Sequence, residues 1–168
     1  MGWTWRRVPL AHGVLSTAVA ACVAPWCVPK GQVSEGFVVR LADGSVLTGE
    51  IDEPESGPAV AHVLLVHGLG SSAHDPGVRR LALVLAKHGF MVYRMNHRNA
   101  GSGQGLAGGI YHGGRSDDIL QVLEDLARRN FGAPWLCMGL SLSGRWCSRW
   151  RGCPDMRRAL RTVPSWAL

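Results

Sequence analysis

Apolar residues recur along this chain with two spacings, one of two residues and one of three to four. From Glu35 the shorter spacing rules. Phe37, Val38, Val39 and Leu41 lead into Ala42-Asp43-Gly44, and Val46-Leu47-Thr48-Gly49-Glu50-Ile51 leads out. Asp-Gly between two such runs predicts a β-hairpin, because glycine accepts the positive φ of a tight turn. Glu53 to Pro58 is polar and predicts a loop. Val63 to Val66 is continuously apolar, as expected of a central strand covered on both faces. Pro76 then opens a helix in which Val78, Leu81, Ala82 and Leu85 share a face, and His88-Gly89 ends it. Phe90 to Met95 predicts another strand, and Asn96 to Gly114 a long glycine-rich loop. Ser116 is placed to cap a second helix with Ile119, Val122, Leu123 and Leu126 on its apolar face. Asp117 and Asp118 fall in its first turn, where the helix dipole favours anions. Asn130 to Pro134 is a turn into a buried strand, Trp135 to Met138. Strands and helices alternating at these lengths predict an α/β fold, a mostly parallel sheet with helices on both faces.

Composition narrows the class. The chain has 168 residues, 46% hydrophobic and 18% charged, which suits one globular domain with a sizeable core. Its net charge of +6 is unevenly placed. Residues 1–144 carry 12 basic and 11 acidic side chains, whereas residues 145–168 carry six arginines and a single acid, Asp155. The body is nearly neutral and the basic character belongs to the tail, so no nucleic-acid partner is implied for the body. The five cysteines, Cys22, Cys27, Cys137, Cys147 and Cys153, are odd in number and form no C-x-x-C pair. Neither a zinc site nor a disulfide framework is implied, and Cys137 reads as a small core residue. Arg6 and Arg7 ahead of Val8 to Ala24 have the outline of a secretory signal. His12, Gly13, Ser16 and Thr17 dilute that run, and it is too short and polar to span a bilayer. The preferred division is therefore a lead segment over 1–32 packed on the domain, a domain over 33–144 and a tail over 145–168. A cytoplasmic location goes with it, and export through the N-terminal segment is the alternative.

Two stretches carry chemistry. Gly139-Leu140-Ser141-Leu142-Ser143-Gly144 follows the last strand and is similar to the nucleophile elbow G-x-S-x-G, with Ser143 at the place of the last glycine. An elbow turns a strand sharply into a helix and leaves one hydroxyl on a strained, exposed corner, which demands small neighbours. Ser141 is the nucleophile on this reading. Gly139 permits the close approach, and Ser143 is small enough to be tolerated. His67-Gly68-Leu69-Gly70 follows the first central strand. In acyl transfer a loop here supplies one oxyanion donor, the Leu69 backbone N–H, and the Leu142 N–H supplies the second. Fixed donors matter because negative charge develops on the substrate oxygen only in the transition state. Alone, His67-Gly68 is simply a strand-ending turn; paired with an elbow about seventy residues on, it reads as half of a site. Gly103 to Gly108 formally matches G-x-G-x-x-G, but it lies inside a loop with no helix opening after it, so no nucleotide is implied.

Several of these stretches together resemble the YheT-like branch of the α/β-hydrolases, predicted carboxylesterases related to the abhydrolase-domain lipases. They are His67 to Ser72, Met95-Asn96-His97-Arg98-Asn99-Ala100-Gly101, Tyr111 to Asp118 and the elbow. The resemblance covers roughly Val33 to Gly144, and His12 to Ala20 is similar to the family's N-terminal segment. Asn99 and Ser143 depart from it, each standing where glycine is common. The resemblance implies the N-terminal half of an α/β-hydrolase fold and a serine hydrolase acting on carboxylic esters, of the short-chain carboxylesterase or acylglycerol-lipase class. The substrate would be a small-molecule ester, lipid esters included, with no metal or organic cofactor. His67, Gly68, Gly139, His97 and His112 would shape the site, with neither His97 nor His112 serving as the base. The family's acid and histidine follow the elbow, whereas all seven histidines here precede Ser141.

After Gly144 the composition changes. Residues 145–168 hold three of the seven tryptophans, and no convincing apolar helix face. Arginine for phosphates and tryptophan for stacking would make a nucleic-acid patch, but no binding module accompanies them. A shifted reading frame accounts for more. With G/C-rich codons, one base of shift turns Arg145 to Pro154 into Ala-Leu-Val-Leu-Ala-Leu-Ala-Gly-Leu-Pro, a buried helix in the expected place. The chain is then an incomplete hydrolase, inactive as it stands, with an aggregation-prone open edge beside the strand ending at Gly139. The alternative is a non-catalytic remnant or binding module with a basic Arg/Trp tail. Oligomeric state is not legible.

Overall fold

A computed structural model describes residues 34–144, apart from 113 and 131. The expected lead segment 1–32, the tail 145–168 and four of the cysteines lie outside the described residues. The hairpin forms as expected. Strand β1 (Glu35–Arg40) pairs antiparallel with β2 (Val46–Asp52), with Arg40 opposite Val46. Gly44 adopts φ +83° in the turn, and Asp43 Oδ1 accepts the Ser45 N–H at 2.9 Å. Phe37 and Val39 point inward while Val38 is exposed, which is the two-residue period made visible.

Strand β3 (Ala61–Val66) is buried at all six positions. Helix α1 (Pro76–Lys87) follows, with Asp75 accepting the Gly77 N–H at its N-terminus. Strand β4 (Phe90–Met95), helix α2 (Ser116–Arg129) and strand β5 (Trp135–Gly139) complete the described elements. The sheet order is β1-β2-β4-β3-β5. Its β4-β3-β5 half is parallel and its hairpin half antiparallel, so the sheet is mixed. A hairpin can only enter this way, since its own strands run in opposite directions.

Successive residues of β3 serve opposite cores. Val63 and Leu65 pack with Val78 and Ala82 of α1. Leu64 and Val66 pack with Ile119, Val122, Leu123 and Leu126 of α2. Two expectations are corrected. Ser116 is the first residue of α2 rather than its cap; Arg115 occupies the cap position without a side-chain cap bond. Strand β5 is half-buried, not buried, and Met138 is 38% exposed. The reason is its place: among the described residues β5 pairs only with β3, at the end of the sheet. Trp135 nonetheless anchors it, stacked on His62 at 4.7 Å and lying 4.9 Å from Tyr93. Cys137 is half-buried against the α2-side core. Among the described residues no helix is long and apolar enough to cross a membrane.

Register places the site. Val66 is level with Met95 on one side and Gly139 on the other. Three segments therefore leave the sheet side by side at the carboxyl ends of parallel strands, where α/β folds gather their functional groups.

Candidate active site

The segment after β5 forms an elbow. Leu140 N–H reaches Val66 O at 2.9 Å, so the β3–β5 ladder continues one residue beyond the strand. At Ser141 the backbone switches to φ +53°, a left-handed conformation that costs a side-chain-bearing residue energy. A single 3-10 turn over Ser141–Ser143 follows, closed by Ser143 N–H to Leu140 O at 3.1 Å. Gly139 is required, because a Cβ there would run into the Ser143 backbone. Ser141 is exposed on the corner. Gly68 is its neighbour: a Cβ on Gly68 would lie 3.1 Å from Ser141 Cβ and 3.7 Å from its Oγ.

Ser143, the departure from glycine, is fully buried and hydrogen-bonded. Its hydroxyl donates to His67 O at 2.6 Å and accepts from His97 Nε2 at 2.9 Å. The partners fix both imidazole tautomers. His67 donates from Nδ1 to Gly68 O at 2.7 Å, and its Nε2 accepts the His97 backbone N–H at 3.2 Å. His97 donates from Nε2 to Ser143 and, at 3.2 Å, to His67 O. Burial lowers the pKa of both rings, His97 to about 4, with His67 depressing it further. Both nitrogens of His67, and Nε2 of His97, are thus committed to holding structure.

Tyr111 was not singled out from the sequence. Its ring lies flat on His97, with centroids 4.4 Å apart and planes 8° apart. Its hydroxyl accepts the Gly70 N–H at 2.7 Å and donates to Gly68 O at 3.3 Å. The same loop is held further on at Ala73, whose N–H goes to Asn96 Oδ1 at 2.7 Å and whose carbonyl takes Arg94 Nη1. Arg94 is itself buried against Asp52. Asn96, His97 and Arg98 are all buried at the start of what the sequence showed only as a loop. Arg98 makes a paired contact with Asp118 of α2, at 2.7 and 2.8 Å. It also reaches Asp43 in the hairpin turn at 2.7 Å, binding three elements together. Asp43 is pulled down to about 2, first by the Ser45 N–H and then by Arg98. The signal for these residues was present as polar side chains directly after a buried strand, which must find partners.

The structure thus gathers Ser141, Gly68, Gly139, His67 and His97 at one place. It does not bring His112 there. That ring is exposed, accepts the Gly114 N–H at 3.2 Å and lines a polar hollow with Ala42, Asp43, Arg98 and Gln121. No helix opens after Gly108; the next begins at Ser116. Among the described residues no three His, Cys, Asp or Glu side chains group to hold a metal ion.

A left-handed serine between a parallel strand and a tight turn, beside a glycine loop from the neighbouring strand, has the form of a nucleophile elbow. The fold is that of the α/β-hydrolase superfamily. The chain is similar to an α/β serine hydrolase without a lid from Xanthomonas campestris, at 26% identity and TM-score 0.57, over 76% of this chain and 58% of that one. It is similar to an α/β serine hydrolase homologue from Coxiella burnetii, at 20% identity and TM-score 0.60, over 72% and 58%. A Pyrococcus furiosus esterase matches at 18% identity and TM-score 0.59, over 70% and 44%. The chain spans about half the length of these solved hydrolases. No family model matches the sequence, and no curated protein does.

Proposed function

We propose that this chain carries the nucleophile half of a serine hydrolase acting on carboxylic esters, of the YheT-like branch. The observation behind this reading is the φ of +53° at Ser141, held by Gly139 on one side and facing Gly68 on the other. Ser141 Oγ attacks the ester carbonyl. The N–H groups of Leu69 and Leu142 receive the developing oxyanion, and the alkoxide leaves with a proton supplied by the base. Exposed Leu69 and Ile110, flanking the Gly68–Tyr111 contact, offer apolar surface for an acyl group. The base is the missing part. His67 and His97 are committed to their partners, and all seven histidines precede Ser141.

The commitment of His67 and His97 to structural partners favours a second reading, a non-catalytic scaffold on this half-fold. Imidazole in solution separates the two, since it can enter the open flank and serve as the missing base. Folded chain is mixed with p-nitrophenyl butyrate, with and without imidazole, and its mass is read. The hydrolase reading expects a butyryl group on the Ser141 peptide when imidazole is present, and none on Ser141→Ala. An unmodified Ser141 peptide in folded protein supports the scaffold.

A further inference from the structure

We propose that Tyr111, His97 and Ser143 form a clamp that sets the spacing of the two backbone donors beside Ser141, with Tyr111 as the positioning residue for the Leu69 N–H. This rests on the reading of Ser141 as nucleophile. An oxyanion hole works only if both N–H groups point at one place before the charge arrives. The Leu69 peptide is poorly suited to that by itself. It sits between Gly68 and Gly70, the latter at φ +71°, and its side chain is 71% exposed and packs on little. One hydroxyl answers the problem from both sides: Tyr111 takes the Gly70 N–H and gives its own proton to Gly68 O.

The phenol is in turn fixed to the elbow. Its ring lies flat on His97, and His97 Nε2 reaches Ser143, two residues past the nucleophile. Ser143 also bonds directly to His67 O, the residue that leads into the loop. Loop and elbow are therefore joined by one chain of contacts through side chains from three separate stretches. A glycine at 143 would leave His97 Nε2 and His67 O without this hydroxyl, so the departure from the usual elbow adds a strut.

Tyr111→Phe in the whole 168-residue chain tests this, because it keeps the stacked ring and removes only the hydroxyl. Amide exchange followed by NMR is expected to quicken about tenfold at Gly70, with amides of β4 and α1 unchanged. Phosphonylation of Ser141 by an alkyl fluorophosphonate, with imidazole present, is expected to slow about tenfold while the melting temperature holds. Ser143→Ala should slow it similarly from the elbow side. Unchanged exchange at Gly70 in Tyr111→Phe overturns the clamp, as does an equal loss of protection across β4 and α1, which would mark a general stability role. Wild-type chain that never reacts with the phosphonate counts against the nucleophile assignment, while the exchange rates still decide the clamp.

Discussion

Ser141 and Asn99 are the two non-glycine residues described with positive φ, at +53° and +57°. They bear it differently. Asn99 is a residue type that tolerates this region, and its amide bonds Ala107 O, Gly109 O and Gly105 N. This accounts for asparagine where the resembled family has glycine. Ser141 is exposed, so no burial offsets its strain. Ser141→Gly should therefore stabilise the chain by about 0.5–1 kcal/mol, the relief of strain exceeding the added freedom of the unfolded glycine. Urea unfolding measures it, with Ser141→Ala as the comparison that leaves the strain in place. A glycine variant less stable than the alanine one would contradict a strained serine at this corner.

Between elements, the end of β4 decides how the site is held. His97 has a pKa of about 4 in the fold against 6.5 in the free side chain, because it is buried and faces His67. Between those values the unfolded chain binds a proton that the folded chain refuses. Stability is thus complete above pH 6.5 and falls as pH drops from there towards 4, by about 3 kcal/mol from this ring. His67 and His62, also lowered by burial, act in the same direction. His97→Gln keeps a donor for Ser143 and removes the titration, so denaturation midpoints measured from pH 4 to 6.5 should vary less steeply; an unaltered slope would argue against a buried neutral His97. The hairpin at Asp43-Gly44 and the faces of α1 and α2 were legible in the sequence, because turn chemistry and apolar period are local. The burial of Asn96, His97 and Arg98 was not, since it depends on partners at Thr48, Ser143 and Asp118, far away in the chain. Ser116 begins α2 rather than capping it, and the first turn holds Asp118 in a pair with the distant Arg98. Ser141, Gly139 and Gly68 were legible because small residues at fixed spacing have few other uses, whereas Tyr111 acts through a loop that only tertiary structure brings home.

Taken together, the described residues make a sheet with one unfinished side. β5 pairs only with β3 among them, and Met138 stands exposed on it. A partly apolar strand at an edge invites pairing with other chains. Concentration-dependent self-association is expected, and Met138→Lys should reduce it, as light scattering can show; scattering independent of concentration and of this substitution would contradict an open β5. The solved hydrolases that share the fold extend well beyond the matched region. What this chain contributes is a serine already on its corner, facing Gly68 of the neighbouring loop. The decisive experiment is to treat folded chain with a fluorophosphonate, with and without imidazole, and to locate the adduct by peptide mass. An adduct on Ser141 that depends on imidazole and disappears in Ser141→Ala is the expected result. No adduct at all, or one that falls elsewhere and ignores Ser141→Ala, would contradict the assignment of Ser141 as the nucleophile.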